Sequence, residues 1–239
     1  MPWTTLLETQ AKLELADRAR GEAPGAFAPV IDGTTLPHHP WDPEAPAVSA
    51  DVPMIVSTAL DERAYRMADF GMTEAGLATF AQKLFGDGAA DAMAAYRAEA
   101  PDEKPFLLAA RMETDRTFRK SAFTQAERKA QQGGAPVWAY LWKAPSPAAG
   151  GRFGAVHGID VAPSLYNTRS ALNGSSPEAV SLAAAIASSW AAFAANGTPD
   201  NPRIPHWPAY EPKRRATLIF DNTITVADDP RGAMRKLHG

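Results

Sequence analysis

Two acids and a histidine are the residues whose types and placement can do chemistry together. Asp61-Glu62 follows the apolar run Val52-Pro53-Met54-Ile55-Val56-Ser57-Thr58, and His157 sits in Phe153-Gly154-Ala155-Val156-His157-Gly158-Ile159-Asp160. A carboxylate hydrogen-bonded to an imidazole fixes its tautomer and stabilises the imidazolium, which makes such a pair the acid–base part of a nucleophilic hydrolysis. Each residue also has a plainer reading. Acids are common at helix starts, where the helix dipole favours them, so Asp61 and Glu62 can simply cap the next helix. Taken alone, His157 fits a hydrogen-bonded structural histidine. The glycines around it let the backbone turn sharply and give a substrate access to the ring.

Other candidates carry less. His38-His39 lies between Pro37 and Pro40 with no further ligand near in sequence, so no metal site is expected there. His206-Trp207-Pro208 reads as packing in a turn, and Arg63 and Arg66 as solvated charges. Trp138, Tyr140 and Trp142 read as core side chains of a strand and not as a stacking platform. No P-loop, dinucleotide-binding glycine pattern or HExxH motif occurs, and no cofactor is expected.

The elements that must position these residues follow from periodicity. Leu6, Leu7, Ala11, Leu13 and Leu15 suggest an opening helix running into a break at Gly21 to Pro24, and prolines make Phe27 to Pro46 a loop. Val52 to Thr58 reads as a buried strand of parallel type. Thr73 can cap a helix whose Leu77, Phe80, Ala81 and Leu84 fall on one face before Gly86. Ala89 to Ala98 and Phe106 to Gln131 read as further helices, the second broken once at most. Pro136 to Trp142 is apolar on both alternating faces, as a central strand is. Ser176-Pro177-Glu178 starts a helix that closes at Asn196-Gly197, and Ala216 to Phe220 reads as the last short strand. Strands alternating with helices point to an α/β protein with a parallel sheet, which puts Asp61-Glu62 just past the carboxyl end of one strand.

Composition narrows the function classes. With 24 Lys+Arg against 27 Asp+Glu the net charge is −3, which argues against a nucleic-acid partner. The 45% hydrophobic content excludes disorder of the whole chain, and 239 residues suffice for a sizeable core. Zero Cys removes disulfides, thiolate metal sites and cysteine nucleophiles together. The opening residues lack a secretory signal pattern. The most apolar window, Ala179 to Ala195, carries Ser181, Ser188 and Ser189 and reads as a buried helix, not a membrane span. A soluble chain is therefore expected, cytoplasmic as it stands, with its native compartment open.

Five blocks in register resemble the C-terminal portion of a type B carboxylesterase, the cholinesterase-like branch of the α/β-hydrolases. They are Phe27 to Gly33 with Leu36-Pro37; Val52 to Val56; Asp61-Glu62; Gly154 to Asp160; and Trp190 to Ala194 with Gly197, Pro199, Pro205 to Pro208 and Tyr210. The resemblance implies the C-terminal half of an α/β-hydrolase fold, with residues 1–239 part of one domain and few, mostly parallel strands under covering helices. It aligns Glu62 with the family's triad acid and His157 with its general base, and it implies a small-molecule ester as substrate of the complete enzyme. Two positions depart from the pattern: Arg63 stands where glycine usually follows the acid, and Ser57 where glycine is common in the strand. The family's nucleophile elbow, G-x-S-x-G, does not occur, since Gly174-Ser175-Ser176-Pro177 lacks the second glycine. On the resemblance, the elbow and the glycine-rich oxyanion loop belong upstream of this chain, which is then expected to be inactive alone and to pair with a complementing N-terminal half or with itself. Two alternatives stand beside this: a non-catalytic binding module of cholinesterase-like fold, and a truncated product whose open sheet edges invite association.

Overall fold

The computed structural model describes residues 1–20 and 29–238. The expected break at Gly21 to Pro24 and the first two residues of the Phe27 to Gly33 block lie outside the described residues. The chain divides into two compact units, Met1–Asp42 and Pro43–Gly239. In the first, helix α1 (Trp3–Ala19) buries none of its residues. Past residue 28, the Asp32 side chain closes a turn by accepting the N–H groups of Thr34, Thr35 and Leu36 at 2.9, 2.7 and 2.9 Å. Those donors hold its carboxyl down at a pKa of about 2.

The second unit is built on a four-stranded sheet in the order β1 (Met54–Ala59), β2 (Val137–Trp142), β3 (Ala216–Phe220), β4 (Thr225–Asp228). The first three strands are parallel, with Met54 opposite Val137, Ala59 opposite Trp142 and Trp142 opposite Phe220. Strand β4 returns antiparallel to β3, pairing Ala216 with Asp228 and Ile219 with Thr225. This last strand is an addition to the sequence reading, which ends the sheet at Phe220. A four-residue, half-exposed edge strand carries too little alternation to register as a pattern.

Every residue of β2 is buried, as a run apolar on both faces requires. Trp138, Tyr140 and Trp142 share one face (i, i+2, i+4) and join Leu182, Ala185 and Ile186 of helix α7 (Pro177–Asn196) in the main core. On the other face Val137 and Ala139 meet Ala126 of helix α5 (Lys120–Gln132), together with Tyr210. The sheet is thus covered on both sides. Two of the buried indoles are tied into it: Trp138 Nε1 donates to the Trp207 carbonyl and Trp207 Nε1 to that of Ala139, both at 3.1 Å. Helix α7 is long and apolar enough by composition to cross a membrane, but its Leu182, Ile186, Trp190 and Phe193 pack on the main core. Its ends form as the sequence prescribes, with Ser176 accepting the Ala179 N–H at 3.2 Å and Gly197 closing it in the left-handed conformation (φ 74°).

Between β1 and β2 run α2 (Glu74–Phe85), α3 (Ala89–Glu99), α4 (Pro105–Thr114) and α5. Thr73 caps α2 by accepting the Gly76 N–H at 3.2 Å. The one break in the long helical pattern is a π-helical turn, Asp115–Arg119, between α4 and α5. A second core cluster joins Leu77 of α2, Tyr96 of α3, Leu108 and Met112 of α4, and Met234 of the short α8 (Gly232–Leu237). Between β2 and α7 lie a 3₁₀ turn, Ala148–Gly151, and, directly after the His157 loop, the short helix α6 (Val161–Ser164).

Candidate active site

Glu62 and His157, 95 positions apart in sequence, meet at the carboxyl end of β1 with Glu62 Oε2 2.6 Å from His157 Nδ1. The other carboxylate oxygen, Oε1, accepts the Ala59 N–H at 2.7 Å. A carboxylate has only acceptors to offer, so Nδ1 carries the hydrogen of that bond, and in the neutral ring Nε2 is the nitrogen left as acceptor. The Glu62 side chain is 8% exposed and that of His157 48%, so the acid is enclosed while the imidazole opens outward. A base needs that asymmetry: a fixed, shielded partner on one nitrogen and access on the other.

Two aromatic rings flank the imidazole. Tyr65, on the 3₁₀ turn Glu62–Arg66, stacks with it at 5.1 Å between centroids and 20° between planes. Phe118, on the π-helical turn, packs at 5.3 Å and 48°. Together they restrict rotation of the ring away from Glu62.

The backbone beneath the pair is held by buried charges. Arg119 donates to the Thr58 hydroxyl at 2.6 Å and to the Ala59 and Leu60 carbonyls at 3.1 and 3.3 Å, which fixes the strand end whose Ala59 N–H grips Glu62. Asp115 pairs with Arg119 and, at 2.6 Å each, with Arg231 and the Tyr96 hydroxyl. Burial works against the Asp115 charge, but Arg231 and Arg119 overcome it and keep its carboxyl below the ordinary range. Asp61 accepts from Arg111 Nε at 2.7 Å and from the Ala155 N–H at 2.8 Å. Burial pushes its carboxyl upward, with Arg111 opposing.

The helix-cap reading of Asp61 and Glu62 is therefore replaced. Asp61 stands at the start of the 3₁₀ turn but makes no side-chain capping bond, and both acids are committed to partners elsewhere. Arg63 is no freely solvated charge. Its N–H donates to Thr114 Oγ1 at 3.0 Å, and its guanidinium lies 3.7 Å from Glu113. Arg66 lies over the Tyr65 ring and donates to its hydroxyl at 2.8 Å. Ser57 is exposed on β1. Away from the pair, His206 contacts Asp200 at 2.8 Å on the surface while Trp207 is buried, and Ser176 is occupied in capping α7. Among the described residues no cluster of three potential metal ligands occurs.

Sequence reasoning missed Arg111, Arg119, Tyr65 and Phe118. Arg111 had a signal: a charge inside the apolar run Phe106-Leu107-Leu108-Ala109-Ala110-Arg111-Met112 must be paired when that helix is buried.

A mostly parallel sheet with one antiparallel edge strand, helices on both faces, and a carboxylate and an imidazole in contact at the carboxyl ends of its parallel strands, is a partial α/β-hydrolase fold. Solved carboxylesterases share it. An esterase from anaerobic Clostridium hathewayi that can hydrolyse aliphatic aromatic polyesters superposes with a TM-score of 0.75 at 21% identity, over 100% of this chain and 47% of its own. The Geobacillus stearothermophilus carboxylesterase gives 0.72 at 24% identity, over 90% and 46%. The chain belongs to the carboxylesterase family, whose model matches residues 2–235. Among curated relatives, phenmedipham hydrolase of Pseudarthrobacter oxydans is 29% identical over 240 residues, 95% of this chain and 47% of the relative. Para-nitrobenzyl esterase of Bacillus subtilis (strain 168) is 29% identical over 219 residues, 88% and 42%. The chain thus spans about half the length of the curated relatives it matches.

Proposed function

We propose that the chain supplies the acid and the base of a Ser-His-Glu ester hydrolase, and that the serine and the oxyanion-binding amides come from sequence outside these 239 residues. The contact between Glu62 Oε2 and His157 Nδ1 carries the reading. In the complete site, His157 Nε2 takes the proton of a serine hydroxyl as it attacks the ester carbonyl, then delivers it to the departing alkoxide. Glu62 keeps the imidazole in the tautomer that can accept that proton and stabilises the imidazolium that forms. The substrate class is a small-molecule carboxylic ester. The macromolecular partner is a complementing N-terminal half that adds strands beside β1, an edge of the present sheet; self-association through that edge is what the chain does without it.

The test uses p-nitrophenyl acetate. Alone, the chain hydrolyses it no faster than its His157→Ala variant; a clear difference between the two would reveal a nucleophile within these residues. In a chimera in which the chain replaces the segment of Bacillus subtilis para-nitrobenzyl esterase that it matches, Glu62→Gln and His157→Ala each lower kcat by about 10³-fold or more. Near-normal rates in either variant would remove that residue from the mechanism.

A further inference from the structure

We infer that Asp61 is a positioning residue that sets the distance between Glu62 and His157, an inference that rests on the acid–base reading above. The His157 loop has no strand ladder of its own and turns through two glycines with positive φ, Gly154 (+59°) and Gly158 (+76°). Asp61 grips that loop twice at one residue. Its backbone N–H donates to the Ala155 carbonyl at 2.9 Å, and its side-chain Oδ2 accepts the Ala155 N–H at 2.8 Å. The contact extends β1 by a single parallel bridge between Asp61 and Val156, the residue before the base.

The remaining oxygen of Asp61, Oδ1, takes Arg111 Nε at 2.7 Å, and Arg111 is held in turn by Glu103. A buried ion pair that served only itself would use both oxygens on the guanidinium fork. Here one oxygen is spent on the loop. Any side chain at residue 154 would also meet this carboxylate, because a Cβ there would lie 2.2 Å from Asp61 Oδ2.

Asp61 and Glu62 are neighbours in the chain, so the clamp and the acid share one peptide unit. A short closed circuit results, running from Asp61 through Ala155 and Val156 to His157, across the hydrogen bond to Glu62 and back. Such a circuit leaves the imidazole little freedom to drift from its carboxylate, which is the condition for a base with a defined tautomer. Arg111 holds Asp61 from helix α4 without touching either member of the pair.

The Nδ1 proton of His157, followed by NMR in the full 239-residue chain, provides the test. Wild type shows a downfield Nδ1–H resonance that Glu62→Gln abolishes. Asp61→Asn, which keeps the side chain's size but not its charge, speeds exchange of that proton with water by about tenfold or broadens it away, while the backbone amide dispersion stays that of the folded protein. A proton in Asp61→Asn that exchanges as in wild type overturns the inference. If Asp61→Asn does not fold, Arg111→Lys takes its place: it keeps the charge and loses the fork, and an unchanged exchange rate there overturns the inference equally. If Glu62→Gln itself leaves the resonance intact, it is the acid–base pairing that fails, which separates the two outcomes.

Discussion

Gly154 shows how narrow the tolerances around the candidate base are. It adopts φ +59°, a region that costs any residue with a Cβ, and an added Cβ would sit 2.2 Å from the Asp61 carboxylate and 3.2 Å from Leu107 Cδ2. Neither neighbour can yield easily, since Asp61 is tied at both oxygens and Leu107 is buried. Gly154→Ala is therefore predicted to destabilise the fold by about 2 kcal/mol or more in urea unfolding; a change within about 0.5 kcal/mol would mean the loop has room that the geometry denies. The contact between Glu62 and His157 was legible from their places after two strands taken together with the family resemblance, while either residue alone read as structural. What held them was not. Arg119 and Arg111 come from positions 50 to 61 residues away from their partners; the apolar run around Arg111 signals that its charge is paired, but nothing local in either stretch names the partner.

At the scale of elements, patterns with strong periodicity or clear end signals formed where the sequence placed them: the capped helices α2 and α7, and the doubly apolar strand β2. The π-helical turn was legible only as a break. Its significance lies in tertiary contact, since it aims Phe118 at the imidazole and Arg119 at the end of β1 within two consecutive residues. Helix α8, too short to show a period, is anchored by Met234 in the second core cluster and ends at His238, whose Nε2 lies 3.1 Å from the Tyr96 hydroxyl. Tyr96 gives its only proton to Asp115, so neutral His238 donates from Nε2. Burial lowers the His238 pKa below its ordinary 6.5; Lys120, Arg116 and Arg231 add to this and Asp115 opposes it. A histidine with a lowered folded pKa binds protons more weakly than in the unfolded chain. Its contribution is complete above pH 6.5 and shrinks as pH falls below that value. The melting temperature is predicted to fall between about pH 7.5 and about pH 5.5, and His238→Gln to flatten that slope. A slope unchanged by the substitution would show that α8 does not report the titration.

For the molecule as a whole, the sheet begins at β1, whose partner among the described residues is β2 alone. An edge strand with main-chain groups ready to pair is an association site unless something covers it. The isolated chain is predicted to show concentration-dependent self-association in sedimentation velocity up to about 100 μM, and a monomer throughout would contradict the role assigned to the β1 edge. The fold class was legible because strands and helices alternate along the whole length. The antiparallel edge strand β4 was not, because its pairing is set by the β3 hairpin and not by its own residues.

The central claim is that Glu62 and His157 act as one unit, and a double-mutant cycle on kcat in the para-nitrobenzyl esterase chimera tests it most directly. Groups that act as a unit lose their function together, so the combined Glu62→Gln/His157→Ala variant should be no slower than His157→Ala alone, within about threefold. Losses that multiply, leaving the double variant slower by the product of the two single effects, would show that the carboxylate and the imidazole work independently and would contradict the account.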